Sequence, residues 1–231
     1  MITDERCASY IDSLSDPLTP LLSRIEDDAK DQGVPIIRKS ARSLLKYVLA
    51  DVRPERILEL GTATGFSSIF MATYGLKDAH IDTIENYEKR IEEAKRNISE
   101  SGMEEKIRLI EGDALEILES LSEDKNVYDM IFIDAAKAQY PNYLPLCKKL
   151  LRDGGVLVSD NVLFDGDIAL SRFAVRRRDR TIHARMREFL REITEDEELV
   201  TTVLPIGDGM TLSVKTGRKH RGKYDGKLVK A

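Results

Sequence analysis

The chain has 231 residues, 42% of them hydrophobic and 33% charged, with a formal net charge of −5. That length suits one α/β domain with its own core, and the mild acidity excludes a wholly basic nucleic-acid binder while leaving room for a local basic patch. No apolar run approaches a membrane span, MITDERCASY lacks a signal peptide's apolar core, and Cys7 and Cys147 form no metal or redox spacing, so a cytoplasmic protein is expected.

The N-terminal stretch reads as helices. Residues 3–14 carry apolar positions at mixed helical spacing until Pro17 and Pro20. A second helix over 21–30 is ended by Gly33 and Pro35. A third, 38–50, places Ala41, Leu44, Leu45, Val48 and Leu49 on one face.

From Arg56 the pattern changes to short apolar runs at 56–60, 79–85, 107–111, 128–134 and 155–160, alternating with helical stretches at 66–74, 87–101, 114–121 and 143–151. Such alternation predicts a parallel sheet covered on both faces. A charged helix over 181–193 then precedes strands at 199–205 and 210–215, and the short Gly-Asp-Gly connection makes that pair antiparallel. The expected fold is therefore α/β: a Rossmann-like, doubly wound, seven-stranded sheet of five parallel strands and a terminal antiparallel pair. Residues 1–50 would form a helical cap belonging to the same domain as the core at 51–216, with a basic, mobile tail at 217–231.

Strand residues Ile57-Leu58-Glu59-Leu60 run into Gly61-Thr62-Ala63-Thr64-Gly65 ahead of a helix. Ligands of open α/β sheets sit beyond the carboxyl ends of the strands, where glycines allow close backbone approach. Strand-to-helix turns also need glycine for structural reasons, so the loop gains weight from its neighbours. Glu85 follows about 20 residues on, where an acid can accept ribose hydroxyls, and Asp113 ends the third strand, near where an adenine would lie. The set implies a nucleoside ligand, and the lack of G-x-G-x-x-G spacing argues against a dinucleotide.

Together with FIDAAKAQY (132–140), SDNVLFDG (159–166) and GDGMTLSVK (207–215), these segments resemble the class I S-adenosylmethionine (SAM)-dependent methyltransferases. More narrowly, residues 35–215 resemble the cation-dependent O-methyltransferases that include catechol and caffeoyl-CoA O-methyltransferases. Ala136 stands where several plant-type members carry a further acid, which brings DAAKAQY nearer the bacterial and archaeal branch.

The resemblance implies that Asp134, Asp160 and Asn161 hold Mg2+ or a similar divalent cation; two carboxylates and an amide carbonyl are hard oxygen donors suited to it. It assigns Lys137 as the base beside Asp134, since an ammonium near a dication gives up its proton more readily. It places SAM against Val34, Glu59, Gly61, Ser67, Glu85, Asp113, Ala114 and Asp134. Plainer tasks exist for several. Val34 can merely pack, Glu59 can satisfy amides of the glycine loop, Asp113 can cap the helix from Ala114, and Asp-Asn pairs form turns.

Such a metal calls for two neighbouring acceptor oxygens, as on a catechol-type small molecule. The alternative is a 5-hydroxyuridine of transfer RNA. Arg172, Arg176, Arg177, Arg178, Arg180, Arg185, Arg187 and Arg191 would then meet phosphates of RNA, or of a coenzyme A tail; no aromatic platform for stacking bases is evident, and Phe164, Phe173 and Tyr140 are the nearby candidates. Glu188, Glu192 and Glu195 allow the opposite reading, a solvated helix face. A dinucleotide-dependent oxidoreductase would leave Asp134, Lys137, Asp160 and Asn161 without a task, and a non-catalytic SAM- or RNA-binding module would bind without turnover. His80, His183 and His220 are read as surface or packing residues. The family commonly forms dimers, which makes the helical N-terminus an expected homodimer interface.

Overall fold

The computed structural model describes residues 4–217 apart from Lys125. The tail at 218–231, including His220, lies outside the described residues.

Three helices lead the chain: α1 (Glu5–Ser13), α2 (Pro20–Asp31) and α3 (Lys39–Val52). Local chemistry explains where the first two start. The Asp4 carboxylate accepts from the backbone N–H groups of Arg6 and Cys7, and the Thr19 hydroxyl accepts from that of Leu22 with Pro20 in the first turn. The expected face of α3 is the buried one, with Ala41, Leu45, Val48 and Leu49 in the core.

Alternating elements follow: β1 (Arg56–Leu60), α4 (Phe66–Tyr74), β2 (His80–Glu85), α5 (Glu88–Ser101), β3 (Ile107–Glu111), α6 (Ala114–Glu123), β4 (Tyr128–Ile133), α7 (Tyr140–Leu150) and β5 (Leu151–Ser159). The chain then runs through α8 (Arg180–Glu195), β6 (Leu199–Leu204) and β7 (Met210–Lys215). All seven strands form one sheet in the order β3-β2-β1-β4-β5-β7-β6. β1 to β5 pair in parallel, and β7 runs antiparallel to β5 and β6.

Alternation along the strands builds two cores. Ile57, Met130, Phe132, Val156 and Val158 face α2, α3 and α4, packing with Leu22, Ile25, Leu45, Phe66 and Phe70. Leu58, Leu60, Ile131, Ile133 and Leu157 face the other way, against Leu118, Tyr140, Cys147, Met186 and Phe189. Burial on both faces is why these strands read as nearly unbroken apolar runs.

The expected boundaries shift by more than two residues at one place. α7 begins at Tyr140 rather than residue 143, because Pro141 sits in its first turn, where a missing N–H costs nothing. β5 accordingly starts at Leu151 and passes through Gly154 and Gly155, with an irregular register against β4. Among the described residues no helix is long and apolar enough to cross a membrane.

Candidate active site

Strand order reverses between β1 and β4, which opens a crevice at their carboxyl ends. A cavity of about 500 Å³ lies there. Its walls include Val34 and Arg38 from the segment before α3, Gly61 to Thr64 and Ser67 after β1, Asp134 and Lys137 after β4, Asn161 after β5, and Asp208 from the β6–β7 turn. The tertiary structure thus brings Val34, Gly61, Ser67, Asp134, Lys137 and Asn161 together.

Glu59, in β1, is fully buried and is not among the residues lining the cavity. Its Oε2 accepts from the hydroxyls of Ser68 (2.7 Å) and Thr83 (2.6 Å), so it serves hydroxyls rather than the backbone amides of the loop. Burial pushes its carboxyl up to about 7, against the pull of the Ser67, Thr83 and Ser68 hydroxyls.

Glu85 holds the loop as well: its Oε2 accepts from the Ala63 N–H at 2.9 Å, and its Oε1 from Asn86 and Tyr87. Lone pairs remain for a further donor. Asp113 caps α6, accepting from the N–H groups of Leu115 and Glu116. Asp113, Ala114 and Glu85 are not among the residues lining the cavity.

Asp160 is buried behind Asn161, and its Oδ1 accepts the Asn161 N–H at 2.7 Å. Asn161 adopts a left-handed backbone (φ 59°), which asparagine tolerates better than most residues. Burial raises both Asp134 and Asp160, and the Asp134 charge raises Asp160 further, while Lys137 opposes both shifts. Two carboxylates crowded in a poorly solvated place favour a cation between them. That donor set fits a hard divalent ion, although among the described residues no three His, Cys, Asp or Glu side chains converge.

Several neighbours shape the site in ways the sequence did not reveal. Tyr140, read as a stacking candidate, is fully buried, and its hydroxyl donates to the carbonyls of Ile133 (3.3 Å) and Asp160 (3.1 Å). It braces the ends of β4 and β5 and offers no face to a base. Asp208 pairs with Arg38 at 2.5 Å and accepts from Asn161 Nδ2 at 3.4 Å. The glycine-flanked turn that carries it predicts the hairpin but not these contacts. Lys137 Nζ stands 5.2 Å from the centre of the Phe164 ring.

The arginines differ in their surroundings. Arg185 is tied to Glu188, Asn142 and the Ala138 carbonyl, and Arg187 to the Ile168 carbonyl. Both side chains are thus held by partners within the fold. Arg172, Arg176 and Arg177 are exposed, as is Phe173 at 85%. His183 is a packing residue, buried with Nε2 3.1 Å from the Leu170 carbonyl, and His80 is exposed.

An O-methyltransferase family model matches residues 22–216. The chain belongs to the O-methyltransferase family. Catechol O-methyltransferase of Niastella koreensis is 34% identical over 154 residues, spanning 62% of this chain and 70% of that one. A provisionally named caffeoyl-CoA O-methyltransferase from Staphylococcus aureus superposes with a TM-score of 0.84 at 32% identity, covering 91% of this chain and 100% of the other. O-methyltransferase TomG of Streptomyces achromogenes, involved in tomaymycin synthesis and solved with SAM, gives 0.79 at 28%, covering 92% and 96%. Membership makes this O-methyltransferase a SAM-dependent enzyme and sets aside the oxidoreductase alternative.

Proposed function

We propose that this O-methyltransferase moves the SAM methyl group to one hydroxyl of a small catechol-type acceptor, with a divalent cation such as Mg2+ held by Asp134, Asp160 and Asn161. The observation that carries the reading is the convergence of Asp134, Lys137 and Asn161 with the Gly61–Gly65 loop on one cavity, with Asp160 directly behind. A bound cation would hold two neighbouring acceptor oxygens and stabilise negative charge on the one losing its proton.

The chain's residues do the rest. Val34, Gly61 and Ser67 border the SAM site, Glu59 anchors Ser68 beside it, and Glu85, Asp113 and Ala114 would meet the ribose and adenine. Lys137 Nζ takes the acceptor proton. The oxygen's electron pair then forms the C–O bond as the C–S bond breaks, its electrons passing to sulfur to leave S-adenosylhomocysteine. Holding both partners in one cavity supplies much of the rate.

Release of S-adenosylhomocysteine from SAM and catechol, with EDTA and then with Mg2+ restored, tests the reading. Turnover lost to EDTA, rescued by Mg2+ and absent in Asp160→Ala supports it. Turnover indifferent to a chelator shown to strip bound metal would sink the metal's role.

One observation favours a second acceptor, a 5-hydroxyuridine of transfer RNA: Arg172, Arg176, Arg177 and the outward Phe173 lie on the segment that leads from Asn161 to α8. SAM binding without turnover of any catechol would favour it. A homodimer through α1 fits the exposure of Tyr10 (67%), Ile11 (52%) and Leu14 (65%), and sedimentation would test it.

A further inference from the structure

Three of the five residues in the Gly61–Gly65 loop have a left-handed backbone: Gly61 (φ 96°), Ala63 (φ 47°) and Gly65 (φ 82°). Ala63 carries a Cβ in a region that disfavours one. Such a shape persists only where surrounding structure determines it.

Each of the inner residues is gripped from outside the loop. The N–H groups of Gly61 and Thr62 both donate to the Ile84 carbonyl, at 3.1 and 3.2 Å. The Ala63 N–H donates to Glu85. The Thr64 carbonyl accepts from Asn97 Nδ2 at 2.8 Å, and Asn97 is a buried residue of α5. Thr62 is held through its side chain, with Oγ1 2.6 Å from Thr83 Oγ1 in the middle of β2. Thr83 is fully buried and has one hydroxyl proton, which it donates to Glu59 Oε2. With Glu59 ionised, Thr62 is therefore the donor to Thr83. In that state the carboxylate, passing its demand through Thr83, fixes the direction of the Thr62 hydroxyl.

We propose that Thr83 and Asn97 are positioning residues for SAM: they hold Thr62 and Thr64, on either side of Ala63, in the shape those residues present to the cavity, without lining it themselves. The inference rests on reading that cavity as the SAM site. Loss of either grip leaves a loop that visits the binding shape only part of the time, so affinity falls by the fraction lost while the bound complex stays competent.

Thr83→Val keeps the volume and removes the hydroxyl. The expected result is a rise of roughly 10-fold in KM for SAM and in Kd for S-adenosylhomocysteine, with kcat at saturating SAM and the acceptor KM nearly unchanged. Thr83→Ser restores the hydroxyl and should restore the affinity. Asn97→Ala should repeat the pattern through Thr64, which guards against a folding defect peculiar to one variant. A folded Thr83→Val that binds S-adenosylhomocysteine as tightly as wild type overturns the proposal alone. A fall in kcat with KM unchanged overturns it too. Wild-type protein that binds neither SAM nor S-adenosylhomocysteine by calorimetry removes the reading of the cavity and the proposal with it.

Discussion

Gly61 packs against the backbone of Asp134 so closely that a Cβ on the glycine would stand 2.1 Å from the Asp134 carbonyl oxygen. The Gly61–Gly65 loop and the end of β4 therefore share one van der Waals surface. Gly61 also needs its positive φ. Its replacement by alanine must move either the loop or Asp134.

Gly61→Ala is accordingly expected to weaken SAM binding about 10-fold or more, from ~1–3 kcal/mol of strain in the loop. Divalent-metal affinity should fall in the same variant. Calorimetric titration of each ligand checks this, and wild-type values for both would contradict the close packing.

Replacing Lys137 by Met should cost about 10²- to 10⁴-fold in kcat, the usual range for a general base, with SAM affinity preserved. Steady-state kinetics beside S-adenosylhomocysteine titration separate the two. A Lys137→Met enzyme within a few-fold of wild-type kcat would remove the lysine from the proton transfer.

Stability should depend on pH through Glu59. Its carboxyl lies at about 7 in the folded chain against 4.5 ordinarily. An acid raised on folding contributes fully below its unfolded value, and that contribution disappears as pH rises through the folded one. Between about pH 4.5 and pH 7 the fold is expected to lose up to ~3 kcal/mol from this group. Asp134 and Asp160 are shifted the same way, so the metal-free loss should be larger and divalent ion should reverse their part. Denaturant melts with EDTA across this range test the sign. Glu59→Gln should flatten the curve, and an unchanged slope in that variant would assign the dependence elsewhere.

The exposed arginines can be tested apart from the chemistry. Arg172, Arg176 and Arg177 changed together to serine should leave turnover of a small catechol intact, since none lines the cavity. Under the second reading the same variant binds transfer RNA more weakly, with a salt slope shallower by about 3. Transfer RNA binding equal to wild type would leave these residues as a solvated surface.

Much of the fold was legible because each signal was local. The face of α3 appears in the spacing of Ala41, Leu45, Val48 and Leu49, and the antiparallel β6–β7 pair in the shortness of the turn between them. The start of α7 was missed because Pro141 reads as a breaker unless its place in the first turn is known. Tyr140 was misjudged for a different reason. Whether an aromatic ring at the start of a helix faces solvent or braces two strand ends depends on residues 20 positions apart, and its bond to the Asp160 carbonyl has no trace in the surrounding sequence.

Sequence alone determined the order of strands and helices, the glycine loop and the acids that end the strands, because backbone preference and hydrophobic period act over a few residues. Tertiary structure decided what those acids do. Glu59 became a buried acceptor for Ser68 and Thr83, and Asp208 a partner for Arg38 and Asn161. A carboxylate's task is set by which donors and charges surround it once water is removed, and those neighbours come from distant parts of the chain.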